Sequence, residues 1–437
     1  MSTSTPQDLE SPYAWARLCA SLLLMTIGGS GMYTISVVLP RIQTEFGVTR
    51  GDASLPYTLS MIGFGFGGIL MGRLSDRFGV MVPVFLGTVF LSAGFIAAGS
   101  AGSLWQFSLA QGVLMGLLGS SATFAPLAAD TSHWFTRRRG IAVAICMSGN
   151  YFAGAVWAPI VQHFVDSAGW RQTYVGMGVF CLFTMLPLAL VLRRRPPAAT
   201  PLPAAAASMA ALPIEHPSGS DPSRPLGLSP AVLQGLLCVA GLSCCVAMSM
   251  PQVHIVAYCA DLGYGAARGA EMLAVMMGAG VVSRLVSGWI SDHIGGLHTL
   301  LMGSILQGIA LLMFLFTNGV ESLYVVAAMF GLFQGGIVPS YTLIVRQYFT
   351  PREAGARVGA VLMATLCGMA LGGWMSGAIF DLTGSYRAAF LNGTAWNLLN
   401  VGIVVFLMYR ARRGHLVGAA APQHIRHQPR ARNINAI

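Results

Sequence analysis

The chain has 437 residues, 55% of them hydrophobic and only 9% charged, with a formal net charge of +10. An ordinary soluble globule carries about a quarter charged residues, so that class is excluded and a chain that crosses a bilayer many times is expected. All 25 basic residues are arginines, and their one-sided placement reads as membrane topology rather than a nucleic-acid footprint.

Taken in order, residues 1–14 are polar and lack the basic start and short apolar core of a cleaved signal, so they form an N-terminal cytoplasmic segment. Six apolar runs follow at 15–40, 54–74, 81–100, 104–128, 140–164 and 172–192, within an N-terminal bundle spanning 15–195. Each approaches the roughly 20 residues needed to cross about 30 Å of hydrocarbon. Residues 196–229 turn to Pro, Ala and Ser and cannot bury enough surface to fold, which predicts a disordered cytoplasmic linker. Six more runs at 230–256, 270–290, 299–317, 321–346, 355–380 and 388–409 make a C-terminal bundle, 230–410, before a cytoplasmic tail at 411–437, disordered after Arg413. The expected fold is an all-α membrane protein of about twelve transmembrane helices in two six-helix bundles related by a parallel repeat.

Arg73, Arg77, Arg137 to Arg139, Arg193 to Arg195, Arg352 and the arginines from Arg410 onward fall in alternate loops, while the opposite loops carry only Arg41, Arg50, Arg171, Arg268 and Arg387. The positive-inside rule therefore places both termini in the cytoplasm. The eight cysteines lie in or beside apolar runs without metal-ligand spacing, and no metal or cofactor is expected. The pairs Gly63/Gly67, Gly68/Gly72, Gly368/Gly372 and Gly373/Gly377 have the spacing of close helix contacts.

At an offset of about 215 residues the chain repeats. Gly72-Arg-Leu-Ser-Asp76-Arg77-Phe-Gly79 returns as Gly288-Trp-Ile-Ser-Asp292-His293-Ile-Gly295, Phe135-Thr136 as Phe349-Thr350, and Asp166-Ser-Ala-Gly169 as Asp381-Leu-Thr-Gly384. Four residues upstream of the first match the repeat breaks, with Gly68 in one half and Arg284 in the other. Arg284 stands eight residues before Asp292, about 12 Å into the membrane at 1.5 Å per residue. A guanidinium at that depth needs an anion, water or carbonyls, and its planar fork matches a carboxylate. Glu271, about 20 Å away along the same helix, is too far to serve. The expected counter-ion is a substrate.

The Gly72 to Gly79 loop resembles the G-x-x-x-D-R-x-G motif of the major facilitator superfamily, and the resemblance covers nearly the whole chain. Trp134-Phe135-Thr-Arg137-Arg138-Arg139-Gly140-Ile-Ala142 is similar to the W-F-x-x-R-R-G-x-A segment of the monocarboxylate transporter group, which includes the oxalate-formate exchangers, and His254 to Gly263 and Ile379 to Tyr386 resemble its bacterial members. The resemblance implies a multi-pass protein of the plasma membrane, here a bacterial inner membrane. Two departures stand out. The animal transporters carry an aspartate one turn before the eighth-helix arginine, where this chain has Gly280, and the oxalate-formate exchangers add a lysine in the eleventh helix, where this chain has none.

Together these point to a secondary active transporter of small organic anions, most simply monocarboxylates, and not to an enzyme. Its expected partners are the anion, a co-transported proton and the bilayer. Arg284 would anchor the carboxylate. His254 is the candidate proton carrier and a second substrate contact, though a histidine bonded to a helix carbonyl fits the position equally. Tyr33, Asn150, Tyr151, Gln334 and Tyr341 lie in spans that line the central cavity in such a fold. Gly72, Arg73, Asp76 and Arg77, with Asp292 and His293, are expected to gate at the cytoplasmic loop ends; Asp130 and Glu271, near helix ends, have the chemistry to carry protons, but solvated termini explain them adequately. The rival readings are a dicarboxylate or formate-type exchanger, a drug-efflux antiporter, disfavoured because Gly154 to Val161 lacks that group's G-P-x-x-G-G pattern, and a transport-dead sensor.

Overall fold

A computed structural model describes residues 9–194, 225–317 and 319–420. Hydrocarbon offers no hydrogen-bond partners, so an apolar run satisfies its own backbone by closing into a helix. Twelve helices are long and apolar enough to span a membrane: α1 Pro12–Phe46, α2 Arg50–Phe78, α3 Met81–Gly99, α4 Leu104–Trp134, α5 Arg139–Ala168, α6 Trp170–Val191, α7 Pro230–Asp261, α8 Ala266–Ile294, α9 Gly296–Phe316, α10 Val320–Tyr348, α11 Glu353–Thr383 and α12 Tyr386–Arg413. Each expected run lies within or beside one of them. Most overshoot the apolar stretch because polar caps, not hydropathy, end a helix: Ser11 begins α1 and Ser229 begins α7, each accepting a first-turn N–H.

Two boundaries differ from expectation. The last helix continues to Ala420, seven residues beyond the expected start of disorder. The first begins inside the expected N-terminal segment, whose Glu10 is tied to the bundle. Its N–H donates to the Trp134 carbonyl at 3.1 Å, and its carboxylate accepts the backbone N–H groups of Thr136, Arg137 and Arg138 at 3.1, 2.7 and 3.0 Å. These donors, Arg138 foremost, hold the Glu10 carboxyl below its ordinary range. Most of the expected linker, and the tail beyond 420, lie outside the described residues.

The repeat is visible in the backbone. Gly79 and Gly295 close the two equivalent turns at φ 86° and 81°, a region open to glycine and strained for side-chain-bearing residues. The equivalent helices α4 and α10 are both interrupted, α4 by a π-helical stretch, Ala110–Gly119, and a 3-10 turn, Ser120–Thr123, and α10 at Gly335–Gly336. The glycine spacing is used at three of the four expected pairs: methyl groups at Gly63 and Gly67 would strike carbonyls of α4, at Gly368 and Gly372 carbonyls of α7, and at Gly373 and Gly377 the ring of Tyr57 and the Arg50 carbonyl. Gly68 and Gly72 face open space.

The halves meet along two main seams, α2 against α11 and α5 against α8, with a smaller contact of α1 against α7. Neither seam runs the full height. Contacts on α2 extend from Arg50 to Gly65 and stop before the Gly72 loop, and those between α5 and α8 include Gly154 against Met277, Tyr151 against Gly280 and Met147 against Arg284. Gly140 and Gly288, nearer the motif loops, have nothing within 4 Å of a would-be methyl. The halves are thus pressed together at the face opposite the motif loops and parted at the motif face. Phe66, Trp105, Phe183 and Trp289 on the outer circumference are more than half exposed, as lipid-facing side chains are.

Candidate functional site

Arg284 lies on the seam between the halves. Gly331 and Gly335 let α10 press against the back of α8 at Met276 and Gly280, and the side chain of Arg284 reaches across to α5. There Nη1 donates to the Met147 carbonyl at 3.1 Å, and the guanidinium stands 4.6 Å from the centre of the Tyr151 ring. Its Nε is buried and bonded to nothing. No acidic side chain among the described residues pairs with this half-buried arginine, whereas the two buried arginines have carboxylates: Arg17 pairs with Asp130 and Arg50 with Asp261. A carbonyl and a π-face satisfy only part of a guanidinium's five N–H donors.

Three buried tyrosines stand around this point, each with its ring against a glycine of another helix. Tyr151 packs on Gly280, where a methyl would be 2.5 Å from the ring, Tyr33 on Gly154 at 2.9 Å, and Tyr57 on Gly373 at 2.9 Å. Two of these pairs, Tyr151/Gly280 and Tyr57/Gly373, cross between the halves. No hydrogen bond within the described residues engages the hydroxyls of Tyr33 and Tyr57. Tyr33 and Tyr151 are among the residues the sequence singles out; Tyr57 is not, its only signal being a phenol near the start of a helix.

The remaining expected contacts separate. Asn150 lies beside Tyr151 against the break in α1 at Gly29, with its Oδ1 3.5 Å from a would-be methyl there. Gln334 is fully buried and accepts from Gln252 Nε2 at 2.9 Å. Tyr341 is also fully buried, but in the separate core of the second half among Ile337, Ile344 and Leu407, donating to Asn400 at 2.9 Å. That placement corrects its reading as a cavity residue: no bond or ring contact links it to Arg284.

His254 belongs to a second assembly, at the face opposite the motif loops. Its Nε2 is 2.8 Å from the Gly373 carbonyl and its Nδ1 3.0 Å from the Tyr386 hydroxyl. A carbonyl only accepts, so Nε2 carries the hydrogen and Nδ1 accepts from Tyr386. That hydroxyl in turn accepts from Arg50 Nη1 at 3.0 Å. Arg50 also grips Asp261 through both terminal nitrogens and lies 4.3 Å from the centre of the Phe380 ring. Asp381 accepts the backbone N–H groups of Arg50 and Gly51 at 2.8 and 2.7 Å. Residues of α2 in one half are thereby clamped to α7, α11 and α12 of the other.

At the motif face Arg73, Asp76, Arg77, Asp292 and His293 are exposed, and none forms an ion pair among the described residues. Arg77 lies 5.2 Å from the Phe78 ring centre, and His293 bonds to the Trp289 carbonyl at 2.8 Å. The expected network at these loops is not assembled while this face is parted. Asp130 corrects a second expectation. It is not a solvated terminus but is buried, with both oxygens 2.8 Å from Arg17 and the Trp134 ring 4.8 Å from the same guanidinium. Glu271 does sit at a helix end, bonded to Arg268 and Tyr324.

Two helical halves closed at one face and parted at the other, with a cation at the seam, define a membrane transporter. The chain belongs to the Major Facilitator Superfamily, whose sequence profile matches residues 21–329 and 272–433. It is a secondary transporter distantly related to monocarboxylate transporters. It is 27% identical over 352 residues to Monocarboxylate transporter 13 of Rattus norvegicus, covering 78% of this chain and 76% of that protein. It is 26% identical over 405 residues to Monocarboxylate transporter 11 of Homo sapiens, covering 89% and 82%. Among solved structures it is similar to the peptide transporter POT in complex with sulfate, with a TM-score of 0.70 at 12% identity over 92% of this chain and 95% of that one. A bacterial homolog of the human lysosomal transporter Spinster, inward-facing and unoccupied, matches with a TM-score of 0.65 at 16% identity over 94% and 98%. These structural likenesses establish the fold.

Proposed function

We infer that the chain carries small monocarboxylate anions by alternating access, with Arg284 holding the carboxylate. The observation that carries this reading is the buried, unbonded Nε of a guanidinium that has no acidic partner, on the seam the two halves share. Two parallel N–H donors from Nε and Nη2 would take the two carboxylate oxygens, and the hydroxyls of Tyr33 and Tyr57 offer further hydrogen bonds. One cation favours a monoanion, because a second carboxylate in a low-dielectric site would lack a counter-ion. The names of the relatives support the same substrate class.

The arginine-rich loops place the motif face and both termini in the cytoplasm. On that assignment this conformation is inward-facing, sealed outside by the Arg50 cluster. The test is uptake of radiolabelled short monocarboxylates into proteoliposomes by the wild type and by Arg284→Gln. The variant is expected to insert normally and lose uptake, and Arg284→Lys to be poor because a point charge lacks the fork. Normal uptake by the glutamine variant overturns the assignment.

A further inference from the structure

We propose that the adjacent thiols of Cys244 and Cys245 on α7 form a binding site for trivalent arsenicals, uncharged compounds of the type R–As(OH)2, and that an arsenic bridging the two sulfurs arrests the transport cycle.

Both side chains are buried. Consecutive residues of an α-helix point about 100° apart around its axis, yet these two sulfurs stand 3.7 Å from each other. The Cys244 thiol donates to the Gly241 carbonyl at 3.2 Å. Hydroxyls rather than charges surround the pair, with Thr365 of α11 beside Cys245 and Tyr341 of α10 beside Cys244. Tyr57 on α2 and Tyr151 on α5, both from the other half, also lie near Cys245. The pair therefore sits in the wall of α7 that looks towards the seam.

A disulfide, a metal ion and an arsenic ask different things of two thiols. A disulfide takes Cα atoms roughly 4.4–6.8 Å apart, whereas consecutive Cα atoms are fixed at about 3.8 Å, so this pair does not close on itself within a continuous helix. A structural zinc needs four ligands, and among the described residues no group of three or more His, Cys, Asp or Glu could hold a metal ion. Trivalent arsenic brings one substituent of its own and needs only two further bonds. Its pyramidal geometry keeps two sulfurs close together, where a linear two-coordinate ion would spread them.

The reaction suits a low-dielectric site. Two As–S bonds form while two As–O and two S–H bonds break, each thiol proton leaves with an arsenic hydroxyl as water, and no oxidation state changes. No charge is stranded in the membrane at any stage, so the penalty for burying an ion does not arise. A bridged arsenic then projects its substituent from α7 towards Tyr57 and Tyr151, across surfaces that part and meet as the halves rock. Bulk at that place holds the halves in one arrangement.

The test treats the purified full chain with phenylarsine oxide, which hydrates to phenylarsonous acid, and then with excess glutathione to strip arsenic held by single thiols such as the exposed Cys19 and Cys367. Intact mass is expected to show one phenyl–arsenic unit gained and two hydrogens lost, reversed by 2,3-dimercaptopropanol. Cys244→Ala and Cys245→Ala are each expected to lose that adduct; Cys244→Ser and Cys245→Ser keep the side-chain volume if an alanine variant does not fold. No glutathione-resistant adduct in the wild type, or one that persists in a folded variant, overturns the site. In proteoliposomes the same treatment should lower wild-type uptake of radiolabelled lactate about tenfold once about nine-tenths of the molecules carry the adduct, because the rocking step is blocked in each. Uptake by the variants should stay near the untreated rate. An adduct without loss of uptake overturns the arrest. The uptake measurement rests on the monocarboxylate reading, and absence of lactate uptake by untreated protein counts against that reading alone, since the mass measurement decides the site by itself.

Discussion

Arg50→Gln is the perturbation with the most direct structural consequence. Its side chain is 9% exposed, and it links α2 to the other half through Asp261, the Tyr386 hydroxyl and the Phe380 ring. Glutamine keeps the backbone N–H that Asp381 accepts and loses the charge. Losing the charge-assisted hydrogen bonds costs about 2 kcal/mol and the cation–π contact about 1 kcal/mol, together about 3 kcal/mol. That sum shifts the balance between the outer-closed and outer-open forms by roughly 150-fold, so a protein held closed about 100 to 1 comes close to parity. Spin labels at Thr44→Cys and Leu382→Cys, on exposed ends of α1 and α11, report the separation of the halves once Cys19 and Cys367 are replaced by serine. The expected result is a single short-distance population in the parent and a second, longer population of comparable weight in Arg50→Gln. Arg41→Gln is the control: its exposed pair with Asp166 lies within one half, and the distribution should not move. An unchanged distribution in Arg50→Gln would refute the clamp.

Three further outcomes are expected. Asp130→Asn strands the buried Arg17 charge and should cost about 3–5 kcal/mol of stability, read as a lower thermal midpoint with flux per folded molecule retained. Glu10 is pH-dependent in a definite direction: its carboxyl sits below the ordinary value of 4.5, so its hold on residues 136–138 is complete at pH 7 and lost as pH falls through the folded value. Hydrogen exchange at the Thr136, Arg137 and Arg138 amides should quicken in Glu10→Gln at pH 7 and in the wild type only in acid, and equal protection in the variant would show that the loop does not need the carboxylate. His254→Gln should leave anion transport intact while loosening the outer face, because His254 braces Tyr386 from a site separate from Arg284. Loss of transport with retained folding would move His254 into the substrate pathway, and loss of only pH-driven accumulation would restore it as the proton carrier.

Much of this molecule was legible before any coordinates. Arg284 stood out because a duplicated scaffold predicts the same residue twice and position 68 is a glycine. Of the tyrosines singled out with it, Tyr151 sets its ring beside the guanidinium. Arg50 was not legible as a site residue. It looks like one more loop arginine, and its partners lie 211 and more than 330 residues away. Asp261 and Asp381 were visible as motif residues, but nothing local links them to Arg50. Asp130 was misread for the same reason: a carboxylate near a helix end reads as solvated until a second helix lays an arginine over it.

The sequence by itself determined the number of spans, their grouping into sixes and the singular cation, because hydropathy, loop charge and repetition are properties of the chain read in one dimension. The tertiary structure alone decided which charges are buried and which are shared between halves. Burial depends on which helices meet and at what height, and those meetings were set here by glycines whose missing side chains let one backbone approach another. It also decided that the Tyr341 hydroxyl is spent on Asn400 while no hydrogen bond within the described residues engages that of Tyr57, since both are phenols on apolar helices and only the packing shows where each hydroxyl lies.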